Sequence, residues 1–104
     1  MVKQIHSLDD YQKAIAVKGK LVVLDFTATW CGPCRLIAPR YEKFSEEFVN
    51  ADFYKVDVDE VTDVAQLCGI RAMPTFIFYK DGNKIDELCG ANEGELKKKI
   101  SAHV

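Results

Sequence analysis

The sequence predicts one α/β domain over residues 1–104, built on a single mixed β-sheet, and three patterns carry that expectation. Strand-like and helix-like segments alternate through the first part of the chain, which calls for parallel strands joined by helical crossovers. Leu21–Thr27 and residues 75–79 are apolar on both faces, as strands covered on each side are. Asp81-Gly82 then separates two strand-like runs by a tight turn, so at least one pair must be antiparallel.

The elements follow in order. Residues 2–5 form a short strand, and Ser7 with Asp10 makes a capping-box pattern that opens a helix ending at Gly19. Leu21–Thr27 is the central strand, and Asp25, its polar interruption, is therefore expected to be buried. From Cys34 onward, Ile37, Tyr41, Phe44 and Phe48 recur at helical spacing and give one apolar stripe with charges opposite. Pro39 lies inside that helix and predicts a kink, because it lacks the helical N–H and crowds the preceding turn. Residues 53–58 are a third strand. Val61, Val64, Ala65 and Cys68 share one face of a short helix that Gly69 ends. Residues 75–79 and 84–89 pair as a hairpin, and Asn92 with Glu95 caps the final helix.

Composition narrows the function. With 104 residues, 48% of them apolar, the chain is long enough for one core and too short for two ordinary domains. A net charge of −2 and a pI of 5.6 argue against nucleic acid as a partner. No apolar run approaches a membrane span, and no basic-then-apolar leader opens the sequence, so a soluble protein without membrane association is expected. A core of this size needs no disulfide framework, and the 4 cysteines fit a reducing compartment better than an oxidising one.

The chemistry concentrates at Trp30-Cys31-Gly32-Pro33-Cys34. Zinc sites use the same C-x-x-C spacing, but Cys68 and Cys89 stand singly and the histidines, His6 and His103, lie near the two ends, which leaves matched further ligands wanting. A structural disulfide is a poor alternative, since closing so short a loop contributes only roughly 2 kcal/mol in the chain-entropy model. Placement supplies the positive reason. Cys31 falls where a buried strand ends and a long helix begins, so its sulfur faces unpaired N–H groups and the positive end of the helix dipole, and both favour a thiolate. Cys34 is one turn further in on the same side, within bonding reach and more enclosed. Cys31 is thus expected to be the exposed nucleophile and Cys34 the resolving thiol, exchanging electrons with target disulfides through a mixed disulfide. Gly32 lets a substrate backbone approach, and Pro33 fits the first helical turn without loss of a hydrogen bond.

With Asp25-Phe26 before this run, Pro39 after it, and then Arg71-Ala72-Met73-Pro74-Thr75-Phe76 and Gly90, the chain resembles the thioredoxin family from end to end, and its Thr27-Ala28-Thr29 run is similar to the animal cytosolic members. The resemblance implies a central mixed sheet of about five strands flanked by four helices, with a cis Met73-Pro74 bond against the cysteine pair. It implies a protein disulfide reductase in the cytoplasm with no bound cofactor, taking electrons from NADPH through thioredoxin reductase. Implied clients are disulfide-containing proteins such as peroxiredoxin, ribonucleotide reductase and methionine sulfoxide reductase, met by a monomer. A substrate chain would dock at Met73 across a flat surface including Trp30, Gly32, Pro33, Pro74 and Gly90; the alternative for Trp30 and Met73 is ordinary core packing. Asp25 would move the Cys34 proton, helped by a burial-raised pKa, and Lys55 would modulate its charge. Their alternatives are a carboxylate hydrogen-bonded in the core and a solvated lysine. Cys68 reads as a buried, inert thiol, and Cys89 as a bystander next to Gly90, unless its oxidation hinders substrates.

Two other functions compete. A folding oxidant or isomerase of the same fold usually has histidine between its cysteines, where this chain has Gly32-Pro33. A binding module would hold a partner on the same surface without turnover.

Overall fold

In the computed structural model, which describes residues 1–104, the chain runs β1 (Val2–Gln4), α1 (Leu8–Ile15), β2 (Leu21–Thr27), α2 (Gly32–Glu47), β3 (Asp52–Asp57), α3 (Thr62–Leu67), β4 (Thr75–Lys80), β5 (Asn83–Cys89) and α4 (Glu93–His103). The sheet has 5 strands in the order β1-β3-β2-β4-β5. β1, β3 and β2 are parallel, while β4 and β5 are antiparallel to their neighbours. The mixed sheet and its four flanking helices are therefore as expected from the sequence.

β2 lies at the centre because its side chains satisfy two cores at once. Val22, Leu24 and Phe26 face Tyr11, Ala14 and Val64 of α1 and α3. Leu21 and Val23 face Ile37, Tyr41 and Phe44 of α2 and Leu96 and Ile100 of α4. Period-two alternation then puts Asp25 on the α2 side of the sheet, the side from which the cysteines come. Its register partner on β3 is Lys55, and on β4 it is Phe76.

The caps account for the boundaries. Ser7 accepts the Asp10 N–H at 3.1 Å, and Asp10 Oδ2 accepts the N–H of His6 at 3.0 Å, one residue before the position a strict capping box would use. α1 ends at Ile15, earlier than the predicted stop at Gly19. Val17 packs on the core and Gly19, at φ 74°, donates its N–H to Asp81 at 2.8 Å, so the chain leaves the helix to enter β2. α2 continues unbroken through Pro39. Asp81 and Gly82 both have positive φ, 53° and 83°, which suits the right-handed twist of the β4–β5 hairpin. Asn92 Oδ1 accepts the Glu95 N–H at 3.0 Å and caps α4.

Candidate active site

The end of β2 and the start of α2 hold the cysteine pair. Cys31 is the N-cap of α2, with extended backbone, and its Sγ accepts the N–H of Cys34 at 3.3 Å. Its carbonyl accepts the Arg35 N–H at 3.2 Å. Pro33 sits in the first turn, where a missing donor costs nothing. The two sulfurs are bonded, with the Cα atoms 5.3 Å apart, so the structure shows the oxidised form of the pair.

Cys31 is more covered than the sequence leads one to expect: 6% exposed, against 2% for Cys34. The reason is tertiary. Its sulfur packs with Cys34 and Ala28, with Met73 and Val58 closing over them, and lies 3.7 Å from the Met73 carbonyl oxygen.

Met73-Pro74 is cis. Thr75 Oγ1 donates to the Ala72 carbonyl at 2.6 Å, and the Gly90 N–H donates to the Pro74 carbonyl at 2.9 Å. These bonds fix the loop before β4 against the end of β5. Gly90 has φ 98°, a conformation that a side chain would strain. Around the pair Trp30 is 65% exposed, so core packing does not account for it. Pro33 is exposed, while Gly32, Met73 and Gly90 are half-buried. Pro74 is buried, and so it shapes this surface rather than contributing area to it. Trp30 Nε1 donates to Asp59 Oδ2 at 2.8 Å. Asp59 is a residue the sequence reading missed. Its only local sign is the Asp57–Asp59 turn, in which the Asp59 N–H donates to Asp57 Oδ1 at 2.9 Å.

Beneath the pair Asp25 is buried, and its Oδ1 has no hydrogen-bond partner. Burial pushes its pKa up to about 7, and the Lys55 charge pulls weakly the other way. Lys55 is itself exposed, so it is a solvated lysine that still bears on Asp25. Asp25, Cys34, Lys55 and Tyr41 line one cleft of about 620 Å³ on the α2 side of the sheet. Tyr41 shares its hydroxyl proton between the Val23 and Tyr54 carbonyls, at 3.1 and 2.8 Å, which ties α2 to the sheet at the cleft wall.

The other thiols lie apart. Cys68 is half-buried at the C-cap of α3, 3.7 Å from the Tyr79 hydroxyl, and so is less enclosed than its helical face predicts. Cys89 is exposed at the end of β5, near Thr75 Oγ1 at 3.7 Å and Glu87 Oε2 at 3.6 Å. No three His, Cys, Asp or Glu side chains are gathered to hold a metal ion, and no helix is long and apolar enough to cross a membrane.

Residues 2–102 match the family model described as Thioredoxin. Thioredoxin-2 of Saccharomyces cerevisiae is 52% identical over 104 residues, covering 100% of both chains. The X-ray structure of Fasciola hepatica thioredoxin superposes with a TM-score of 0.97 at 43% identity, covering 99% of this chain and 100% of that one. A structure from work on thiol resolution in yeast mitochondrial 1-Cys peroxiredoxin via the glutathione/thioredoxin systems superposes at 0.92 with 37% identity, covering 97% and 94%.

Proposed function

Since the chain belongs to the thioredoxin family and is a dithiol–disulfide oxidoreductase working through Cys31 and Cys34, we propose a distinct role for each residue around that pair. In the reduced protein the Cys31 thiolate attacks one sulfur of a client disulfide, and the client's other sulfur leaves as a thiolate. Cys34 then loses its proton and attacks the Cys31 sulfur of the mixed disulfide. The Cys31–Cys34 bond forms, the second client thiolate leaves, and the client has gained two electrons. The observation that carries the nucleophile assignment is the Cys34 N–H directed at Cys31 Sγ at the start of α2, a donor that stabilises charge on Cys31.

Asp25 accepts the Cys34 proton, directly or through water in the shared cleft, and a pKa of about 7 suits it to giving and taking a proton at neutral pH. Lys55 tunes that carboxyl from the rim. Gly32 lets the client backbone approach and Pro33 stiffens the first turn of α2, so that together they set the thiol chemistry, and Trp30, Met73, Pro74 and Gly90 present or shape the docking surface. Met73, whose carbonyl faces Cys31, receives the client backbone. Residues 1–104 act as one unit without a bound cofactor, as a cytoplasmic monomer. Electrons come from NADPH through a thioredoxin reductase, and the clients are proteins with accessible disulfides. The relative solved with a peroxiredoxin system supports peroxiredoxins among them, and ribonucleotide reductase and methionine sulfoxide reductase fit the same chemistry.

Insulin reduction with NADPH and thioredoxin reductase tests the scheme. Cys34→Ser is expected to stop turnover and accumulate a mixed disulfide through Cys31. Equal alkylation of Cys31 and Cys34 in the reduced protein at neutral pH would refute the division of roles.

A further inference from the structure

The solvent side of a surface helix ordinarily carries its charges, and the first turns of α2 do not. Pro33, Leu36 and Pro39 follow one another there at a spacing of three, and all are exposed. Leu36 is 81% exposed, the highest value among the large apolar side chains. Arg35, the one charge in this stretch, is turned back to the Thr29 carbonyl at 2.8 Å. A single exposed leucine is ordinary. Three uncharged positions together on the turns nearest the reacting sulfur are not, and beyond them the exposed face becomes charged, at Arg40, Lys43, Glu46 and Glu47.

Two ion pairs locate this face. Arg40 Nε meets Glu93 Oε1 at 3.0 Å and Lys97 Nζ meets Glu47 Oε2 at 3.5 Å, so α2 and α4 run side by side in the same direction. Leu36 stands one turn before Arg40 in the same row of the helix surface. Because α4 begins at Glu93, the row passes beyond that helix one turn back from Arg40 and comes level with residues 90–92. Leu36 therefore lies between Pro33 and the Gly90 end of β5, and it extends the docking surface proposed above.

The reaction itself determines what covers this face. While the mixed disulfide exists, the client chain is bonded to Cys31 Sγ, and Leu36 stands only about 7.5 Å further along the helix axis. A transient interface of about 1,000 Å² in total covers a patch of about 13 Å radius on each partner, so a client centred on Cys31 reaches Leu36. We propose that Leu36 sets specificity among clients by receiving an apolar side chain beside the attacked cysteine. Disulfides flanked by large apolar residues then react faster than those flanked by polar ones. This preference rests on the reading that the client docks over Cys31, and it adds to that reading the chemistry that docking selects.

The test mixes pre-reduced full-length protein, with no reductase present, with two peptides closed by the same disulfide, one carrying leucine and the other glutamine on both sides of each cysteine. Wild type is expected to reduce the leucine peptide roughly tenfold faster, the effect of partly desolvating one leucine. Leu36→Gln, which is neutral and suits a helix, should bring the two rates within about twofold of each other, and Leu36→Met should restore the preference. The same preference in wild type and Leu36→Gln would overturn the role of Leu36. So would Leu36→Gln slowing 2-hydroxyethyl disulfide, which is too small to reach position 36, as much as it slows the leucine peptide, because the change would then act on the thiols or the fold. A wild-type dimer that Leu36→Gln dissociates would assign the face to a second copy and equally overturn it. Met73→Arg keeps the two readings apart. A preference lost in Leu36→Gln upholds Leu36 whatever Met73→Arg does, while Met73→Arg that slows neither peptide overturns the docking role of Met73 alone.

Discussion

The Asp25 carboxyl sits among apolar side chains with Oδ1 unpaired, and its pKa of about 7 stands well above the ordinary 3.8. The carboxyl therefore holds its proton more tightly in the folded chain than in the unfolded one. Below about pH 4 both states are protonated and stability is fully present; as pH rises through 7, the folded protein must ionise a buried group. Three pH units correspond to about 4 kcal/mol at the unit cost of ionisation. Asp25→Asn is accordingly expected to be more stable than wild type at pH 8, by up to about 4 kcal/mol, with the gap closing near pH 4. Urea unfolding at the two pH values checks this, and a gap independent of pH would contradict it. The same variant should resolve mixed disulfides more slowly. At the surface, Met73→Arg is expected to lower insulin reduction without altering the thermal midpoint, since Met73 is half-buried beside Cys31 rather than in either main core.

At the scale of elements, caps and registers decide where the reactive groups lie. α1 depends on Ser7, whose side chain accepts the Asp10 N–H; Ser7→Ala should cost about 1 kcal/mol by chemical denaturation and leave reductase activity unchanged. α4 is tied to β5 by Asp86, which meets Lys99 at 2.9 Å and His103 at 2.9 Å. His103 first, then Lys99, pulls the Asp86 pKa down to about 2. A depressed carboxyl contributes stability that is present above pH 4 and is lost as pH falls towards 2. These groups are about a quarter exposed, so solvent screens the contribution to roughly 1 kcal/mol. Asp86→Asn should therefore lower stability by that amount at pH 7 and by nothing measurable near pH 2.

Across the whole molecule one sheet separates two cores of comparable size. Phe78 is fully buried on the α2–α4 side. Phe78→Ala should cost about 3–5 kcal/mol, read as a lower urea midpoint, and should loosen α4 before it disturbs the cysteine pair. The architecture was legible in the sequence because the apolar periods are strong and each turn carries its own residue chemistry. The two-sided run Leu21–Thr27 could only be central, and Asp81-Gly82 could only be a tight turn of the kind seen. Less of the site was legible. Cys31 reads as exposed from its N-cap position, yet Met73, 42 residues away, closes over it. Cys68 reads as buried from its helical face, yet it ends the helix half-exposed beside Tyr79.

The sequence by itself therefore determined the order of elements, the mixed sheet, the cysteine pair at a strand-to-helix junction and the burial of Asp25, because periodicity and capping are properties of neighbouring residues. The tertiary structure decided how covered Cys31 is, that Trp30 bonds to Asp59, that Pro74 is buried, and that Asp25 keeps one buried oxygen unpaired beneath the cysteine pair. Those facts depend on contacts between segments far apart in the chain, which no local pattern encodes.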